Sequence, residues 1–334
     1  VRTLALLTLA ASWAASWAAV AGSATPPPQT EAASAPVEEV VVTGEQPGPG
    51  LWRVSRDGHD LWILGTLEPL PKKMSWRATQ TDAVIARSSE VLAPPGFDVH
   101  VSVFRGLTAI PTALRARKNA DGETLAQVLP ADLYHRWLVL KERYLGRGEA
   151  VERYRPLFAA RELYVGALDH SGLSSEKIAW KRVKESAKRW RVPLQPVDVD
   201  ITVKDPKAAL HEIEHIARDP DVACLARTIE QLESDVGTMR ARANLWSLGD
   251  VDGLRALPYP DARQACFDAV ASVPELGRQM TDARDRLFDH WLATALEALA
   301  RNPTTFAVLP ISELLRPDGP LARLRAQGFL ITDP

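Results

Sequence analysis

LWRVS (Leu51–Ser55) and DLWILGT (Asp60–Thr66) alternate apolar and polar side chains, which predicts two half-buried strands. Asp57-Gly58 between them is a strong hairpin signal, since a two-residue turn of the favoured type needs positive φ at both central positions. A helix is predicted from about Thr79 to Ser88, and EVLAPP (Glu90–Pro95) reads as a strand stopped by its proline pair. Residues 107–190 carry a helical pattern. Leu133, Trp137, Leu138, Leu140 and Leu145 recur near helical spacing, and Pro156 opens the next helix. Ser175–Trp190 starts on Glu and ends rich in Lys and Arg, which suits the helix dipole. VPLQPVDV (Val192–Val199) returns to strand character. From Asp205 to Ala300 the pattern is helical again, with breaks expected near Asp219-Pro220, Gly249, Pro258 and Pro274. TTFAVLP (Thr304–Pro310) predicts a strand, followed by a helix near Leu321–Gln327 and a final GFLIT (Gly328–Thr332). Strands thus gather at both ends and at one midpoint. The expected class is α/β, a central mixed β-sheet surrounded by many helices, with a large helical insertion between the N-terminal and C-terminal strands.

Ahead of this pattern, Arg2, the apolar stretch Leu4–Val20 and the small residues Ala19, Ala21, Gly22, Ser23 and Ala24 read as a signal peptide over residues 1–24. Cleavage is expected after Ala21 or Ala24; the alternative is a retained membrane anchor. Residues 25–50 hold six Pro, three Gly and no Lys or Arg, which predicts a linker, leaving 51–334 as the folded domain. No apolar run after residue 24 approaches the ~20 residues of a membrane helix, so no transmembrane segment is expected after signal cleavage. The location expected is periplasmic or secreted. That compartment favours joining Cys224 and Cys266, the only two cysteines.

The balance of 40 basic against 42 acidic side chains, with 46% hydrophobic residues, excludes a disordered chain and a globally basic nucleic-acid binder. The basic run Lys177–Arg191 interleaves cations with Trp180 and Trp190, and reads as a solvated amphipathic helix; no nucleic-acid partner is expected. Ser174 and Lys177 form an S-x-x-K that a chain of this length is expected to contain by chance.

Two places share a local design. One apolar strand ends at Gly65-Thr66 with Glu68 just beyond, and another ends near Pro310 with Glu313 just beyond. Ligands in open α/β sheets gather at the carboxyl ends of strands, so neighbouring strands would aim both carboxylates into one cleft lined also by Gly65 and Thr66. Such a pair can share a proton, act as acid and base, or hold a hard metal ion. The plain alternative is two solvent-facing carboxylates, Glu313 serving as a first-turn acid.

LWRVSRDGHDLWILGTLEPLPKKMSW, NLWSLGDVDGL and TTFAVLPISELLRPDGPLARLRAQGF resemble the TraB/GumN family across most of residues 51–332. The resemblance implies a mixed sheet wrapped by helices, kinship with TIKI metal-dependent proteases and erythromycin-esterase-like folds, and divalent-metal chemistry in active members. The family's first motif reads Gly-Thr-x-His, and its C-terminal motif Gly-Ala-x-His. Here Glu68 and Glu313 stand at the histidine positions, and EVLAPP has Ala93 and Pro94 where members tend to carry an acid. Two readings follow. In one, the chain is a catalytically degenerate member that binds an envelope protein or peptide. In the other, Glu68 and Glu313, helped by Asp98 or His100, hold Mn, Mg or Ca in a hydrolase or protease. A third, remote reading is a zincin-type peptidase at His211, Glu212 and His215, which match H-E-x-x-H. At about 100° per residue those histidines fall opposite the stripe of Ala209, Leu210, Ile213, Ile216 and Ala217, which favours a solvated helix face.

Overall fold

The computed structural model describes residues 47–101, 103–257 and 262–334. The expected signal peptide and most of the expected linker lie outside the described residues.

Among the described residues there are ten strands: β1 Leu51–Arg56, β2 His59–Thr66, β3 Leu70–Pro71, β4 Val91–Leu92, β5 Gly96–Val101, β6 Leu173–Ser174, β7 Leu194–Gln195, β8 Asp198–Val203, β9 Thr304–Pro310 and β10 Leu330–Thr332. Six build the central sheet in the order β10-β1-β2-β9-β4-β7. Within it β2, β9, β4 and β7 run parallel, and β1 is antiparallel to both of its neighbours, so the sheet is mixed. The β1–β2 hairpin closes as its sequence requires: Asp57 and Gly58 have φ of 54° and 83°, and Arg56 pairs with His59.

The proline-flanked segments depart from the predicted boundaries. EVLAPP contributes only the two-residue β4, and VPLQPVDV divides into β7 and β8 around Pro196. Pro94, Pro95, Pro193 and Pro196 have no N–H to donate to a ladder, so the sheet is continued there by single bonds from Val91 N to Pro193 O (2.9 Å) and Ala93 N to Gln195 O (2.9 Å). Beyond the prolines β5 and β8 pair in a separate two-stranded parallel sheet. Asp219-Pro220, expected as a break, lies in the first turn of the helix Arg218–Ser234, where a missing N–H leaves no bond unmade.

Both faces of the central sheet are covered. On one, Trp52, Leu61, Ile63, Ala307 and Leu309 pack with Trp246, Trp291, Ala295 and Leu299 from the helices Val236–Leu248 and Pro274–Arg301. On the other, Leu51, Leu64, Phe306 and Val308 meet Val84, Ile85, Val183 and Ala187 from the helices Thr79–Arg87 and Ile178–Trp190. This two-sided cover explains why β9 reads as an unbroken apolar run, buried from Thr305 to Leu309. A second core lies among the helices of the insertion, where Leu125, Trp137, Leu163, Leu225 and Ile229 surround the Cys224–Cys266 disulfide.

The far end of β2 is fixed by Trp246, whose indole N–H donates to Gly65 O at 2.6 Å while its ring meets Trp76 edge-on at 5.1 Å. Gly65 is glycine because of crowding. A Cβ there would sit 2.9 Å from the Trp52 ring and 3.1 Å from both Ile311 and Leu314. In NLWSLGDVDGL, Gly249 (φ 72°) ends the first helix and the Asp250 carboxylate accepts from Gly253 N at 2.8 Å to start the next, Val251–Ala256.

Two stability outcomes are expected in denaturant titrations. Replacing both Cys224 and Cys266 by Ala should destabilise the protein by about 4 kcal/mol, the chain-entropy value for a loop of this length. Trp246→Phe keeps an aromatic ring, smaller than the indole, but strands the Gly65 carbonyl, and the lost hydrogen bond alone should cost about 1–3 kcal/mol.

Candidate functional site

Parallel pairing of β2 with β9 sets Gly65 opposite Leu309 and Thr66 opposite Pro310, and the Thr66 hydroxyl donates to Leu309 O at 3.2 Å. The two strands therefore end side by side. The chain after β2 turns through Glu68, and the chain after β9 winds at once into the short helix Ile311–Leu314, which carries Glu313 in its first turn. Both carboxylates line one hollow of about 890 Å³. Thr66 lines it too, whereas Gly65 lies one position deeper, packed beneath Trp52, Ile311 and Leu314.

The remaining walls come from distant segments. Pro94 and Pro95 follow β4, Lys177 and Trp180 stand at the start of the helix Ile178–Trp190, Arg255 comes from Val251–Ala256 and Arg284 from Pro274–Arg301. Arg316 and Pro317 complete the rim behind Glu313. Four cationic side chains thus share the hollow with two acids.

Their pairing is uneven. Arg316 reaches Glu313 Oε2 at 3.3 Å through Nη1 and grips Asp318 through Nε (3.2 Å) and Nη2 (3.0 Å). Arg255 is held by Asp252 at 2.9 Å and Asp333 at 3.0 Å. Arg284 stacks over the Phe267 ring at 4.7 Å, and among the described residues no acid stands within ion-pair distance of it or of Lys177. Burial pushes the Glu313 carboxyl above the usual carboxylate range, against the opposing pull of Arg316 and Arg284. Glu68, the other acid of the hollow, is exposed.

The donor set does not fit the divalent ion that the family resemblance implies. Among the described residues no imidazole lines the hollow, Glu313 is engaged by an arginine, and the charges of Lys177 and Arg284 oppose a cation. Asp98 and His100 do not join it. They lie exposed on the β5–β8 pair, where His100 Nε2 is 3.0 Å from Asp200 Oδ1 and 3.7 Å from Asp98 Oδ2. Trp52 and Trp76 are core residues, and Trp62 is flanked by Arg53 and Arg87 on the other sheet face.

The H-E-x-x-H segment lies elsewhere, on the helix Pro206–Glu214, which ends one residue before His215. His211 and His215 come together, their ring centroids 4.5 Å apart, and Glu214 rather than Glu212 approaches the pair, with Oε2 3.4 Å from His211 Nδ1. His211 and His215 are exposed, as the apolar stripe predicts, and with Glu212 they edge a second hollow of about 550 Å³.

Sequence reasoning missed Lys177, Arg255, Arg284 and Arg316 as cleft residues. Arg316 lies in a family-like stretch and Arg255 immediately follows one, three and two residues from the nearest quoted motif glutamate and glycine. Lys177 and Arg284 carry no local signal, because only packing turns them toward the strand ends.

Among the described residues no helix is long and apolar enough to cross a membrane. No curated protein and no solved structure gives a significant match to the chain. The model of the TraB/PrgY/gumN family, in contrast, matches residues 50–333, which takes in both strand ends, all the helices between them and every wall of the cleft. The chain belongs to the TraB/PrgY/gumN family.

Proposed function

We propose that this TraB-family protein is exported, to the periplasm or beyond the cell, and works by binding an anionic ligand in the cleft at the ends of β2 and β9. The ligand class is a carboxylate or phosphate group carried by an envelope protein or peptide. The supporting observation is the charge set of the hollow: Lys177 and Arg284 face it with no acid at ion-pair distance among the described residues, while Glu313 is already engaged by Arg316. Such cations recognise anions by charge-assisted hydrogen bonds. Export is supported by the signal-like N-terminus and by a disulfide that an oxidising compartment preserves. The competing reading is a hydrolase that holds Mn, Mg or Ca through Glu68 and Glu313.

Calorimetric titration separates the two. Inorganic phosphate and a peptide with a free C-terminal carboxylate should each bind at one saturable site, and Arg284→Ala or Lys177→Ala should weaken that site by about tenfold or more. Mn²⁺, Mg²⁺ and Ca²⁺ should find no stoichiometric site there. A one-to-one Mn²⁺ or Mg²⁺ site abolished by Glu68→Ala would replace this reading with the hydrolase.

The binding should also depend on pH with a definite sign. Because the Glu313 carboxyl is raised, it takes up its proton above the ordinary carboxylate range as pH falls. Neutral Glu313 removes a negative charge from the cleft wall while Arg316 stays on Asp318, so anion affinity should climb on acidification through that range and fall again as Glu313 ionises. Glu313→Gln should bind tightly throughout and flatten the profile; an unchanged profile in that variant would remove Glu313 from the account.

A further inference from the structure

The helix Pro206–Glu214 begins on an Asp205 cap, which accepts from Lys207 N at 3.0 Å and Ala208 N at 3.1 Å, and stops where His215 leaves the helical path. At that stop His215 Nδ1 lies 2.7 Å from the His211 carbonyl oxygen. A carbonyl only accepts, so Nδ1 carries the proton and the lone pair of His215 is on Nε2, the outward nitrogen. This is the arrangement by which metal-binding histidines are oriented from behind. Ligand atoms of His211, Glu214 and His215 all fall within 4.8 Å of one another. One separation, 3.4 Å between His211 Nδ1 and Glu214 Oε2, is close to the edge of a tetrahedron with bonds of about 2.1 Å.

Two further observations point to a ligand. Glu214 Oε1 is buried with no hydrogen-bond partner among the described residues, an uncompensated carboxylate oxygen beside two imidazoles. The backbone on both sides of His215 is also clamped. Arg155, itself buried, donates to the carbonyls of Glu214 and of Ile216 (2.7 Å), and its charge is met by the buried Asp221 at 2.8 Å. Asp221 in turn accepts from Leu157 N at 2.7 Å. A buried ion pair, together with the buried Ile216, thus fixes the short turn that carries the exposed His215, which is the preorganisation a ligand site needs.

We propose that His211, Glu214 and His215 bind one transition-metal ion of the zinc class, with its open position facing the 550 Å³ hollow that His211 and His215 line together with Ser272 and Pro274. Two imidazoles and one carboxylate suit Zn²⁺ or Co²⁺ and not Mg²⁺ or Ca²⁺. The third ligand is Glu214, so the site differs from the H-E-x-x-H pattern, in which Glu212 would be a catalytic base. It is also independent of the anion cleft.

The test is titration of the tag-free protein with Zn²⁺ by calorimetry and with Co²⁺ by visible absorption. One equivalent per chain is expected, with the intense bands of four-coordinate Co²⁺. His211→Ala and His215→Ala should each weaken Zn²⁺ by about 100-fold or more, since even outer-shell partners count for about 10- to 100-fold. Glu214→Gln, nearly isosteric and tolerant of folding, should weaken Zn²⁺ and alter the Co²⁺ spectrum, whereas Glu313→Gln should leave both unchanged. Zn²⁺ affinity unaffected by Glu214→Gln and His215→Ala, or lost in Glu313→Gln, would overturn the site.

Discussion

The parallel pairing of β2 with β9 is the constraint on which the rest of the molecule depends. Its seven registered positions join residues about 240 apart in sequence, and one of its contacts, Thr66 to the Leu309 carbonyl, spans 243 positions. Closing such a loop is entropically costly, and only a buried ladder with covered faces offsets it. Helices from the middle of the chain supply that cover, so the insertion is a structural requirement of the sheet. The same pairing is what brings the turn after Thr66 and the helix after Pro310 to one place.

Once the strand ends meet, charge decides what their hollow can hold. Two glutamates alone would be a cation site. Arg316, anchored on Asp318, engages one of them, and Arg284 and Lys177 enter from helices far away in sequence. The hollow that results carries two cations, Lys177 and Arg284, with no acid at ion-pair distance among the described residues. Desolvation of Glu313 acts in the same direction, because it disfavours the negative form of that carboxyl.

The helical part has its own logic. Its core is separate from that of the sheet, and the Cys224–Cys266 bridge ties the helix Arg218–Ser234 to Ala262–Ala271 within it. Arg155 and Asp221 form a buried pair there whose remaining donors bind backbone carbonyls, so the charge is satisfied and its surroundings are rigid. The exposed His211–His215 turn inherits that rigidity.

Much of this was readable in the chain. Alternation and Asp57-Gly58 specify the β1–β2 hairpin, the apolar run of Thr304–Pro310 specifies a strand buried on both faces, and the resemblance in three stretches specifies the family. These are local properties, set by side-chain period, turn chemistry and short motifs. EVLAPP and VPLQPVDV do hold strands, but β4 is shorter than its segment, the second divides into β7 and β8, and β5 has no such signal, because a missing N–H has different consequences at an edge, a junction and a first turn. The positions of Glu68 and Glu313 followed from strand ends. The charge around them did not, since Lys177, Arg255 and Arg284 reach the hollow only through helix packing, and likewise Glu214 rather than Glu212 meets the histidines only because the helix stops at His215. The sequence by itself determined which segments are strands and which acids stand at their ends. Tertiary structure alone decided which charges surround those acids, because electrostatic energy depends on distance through space and not on separation along the chain.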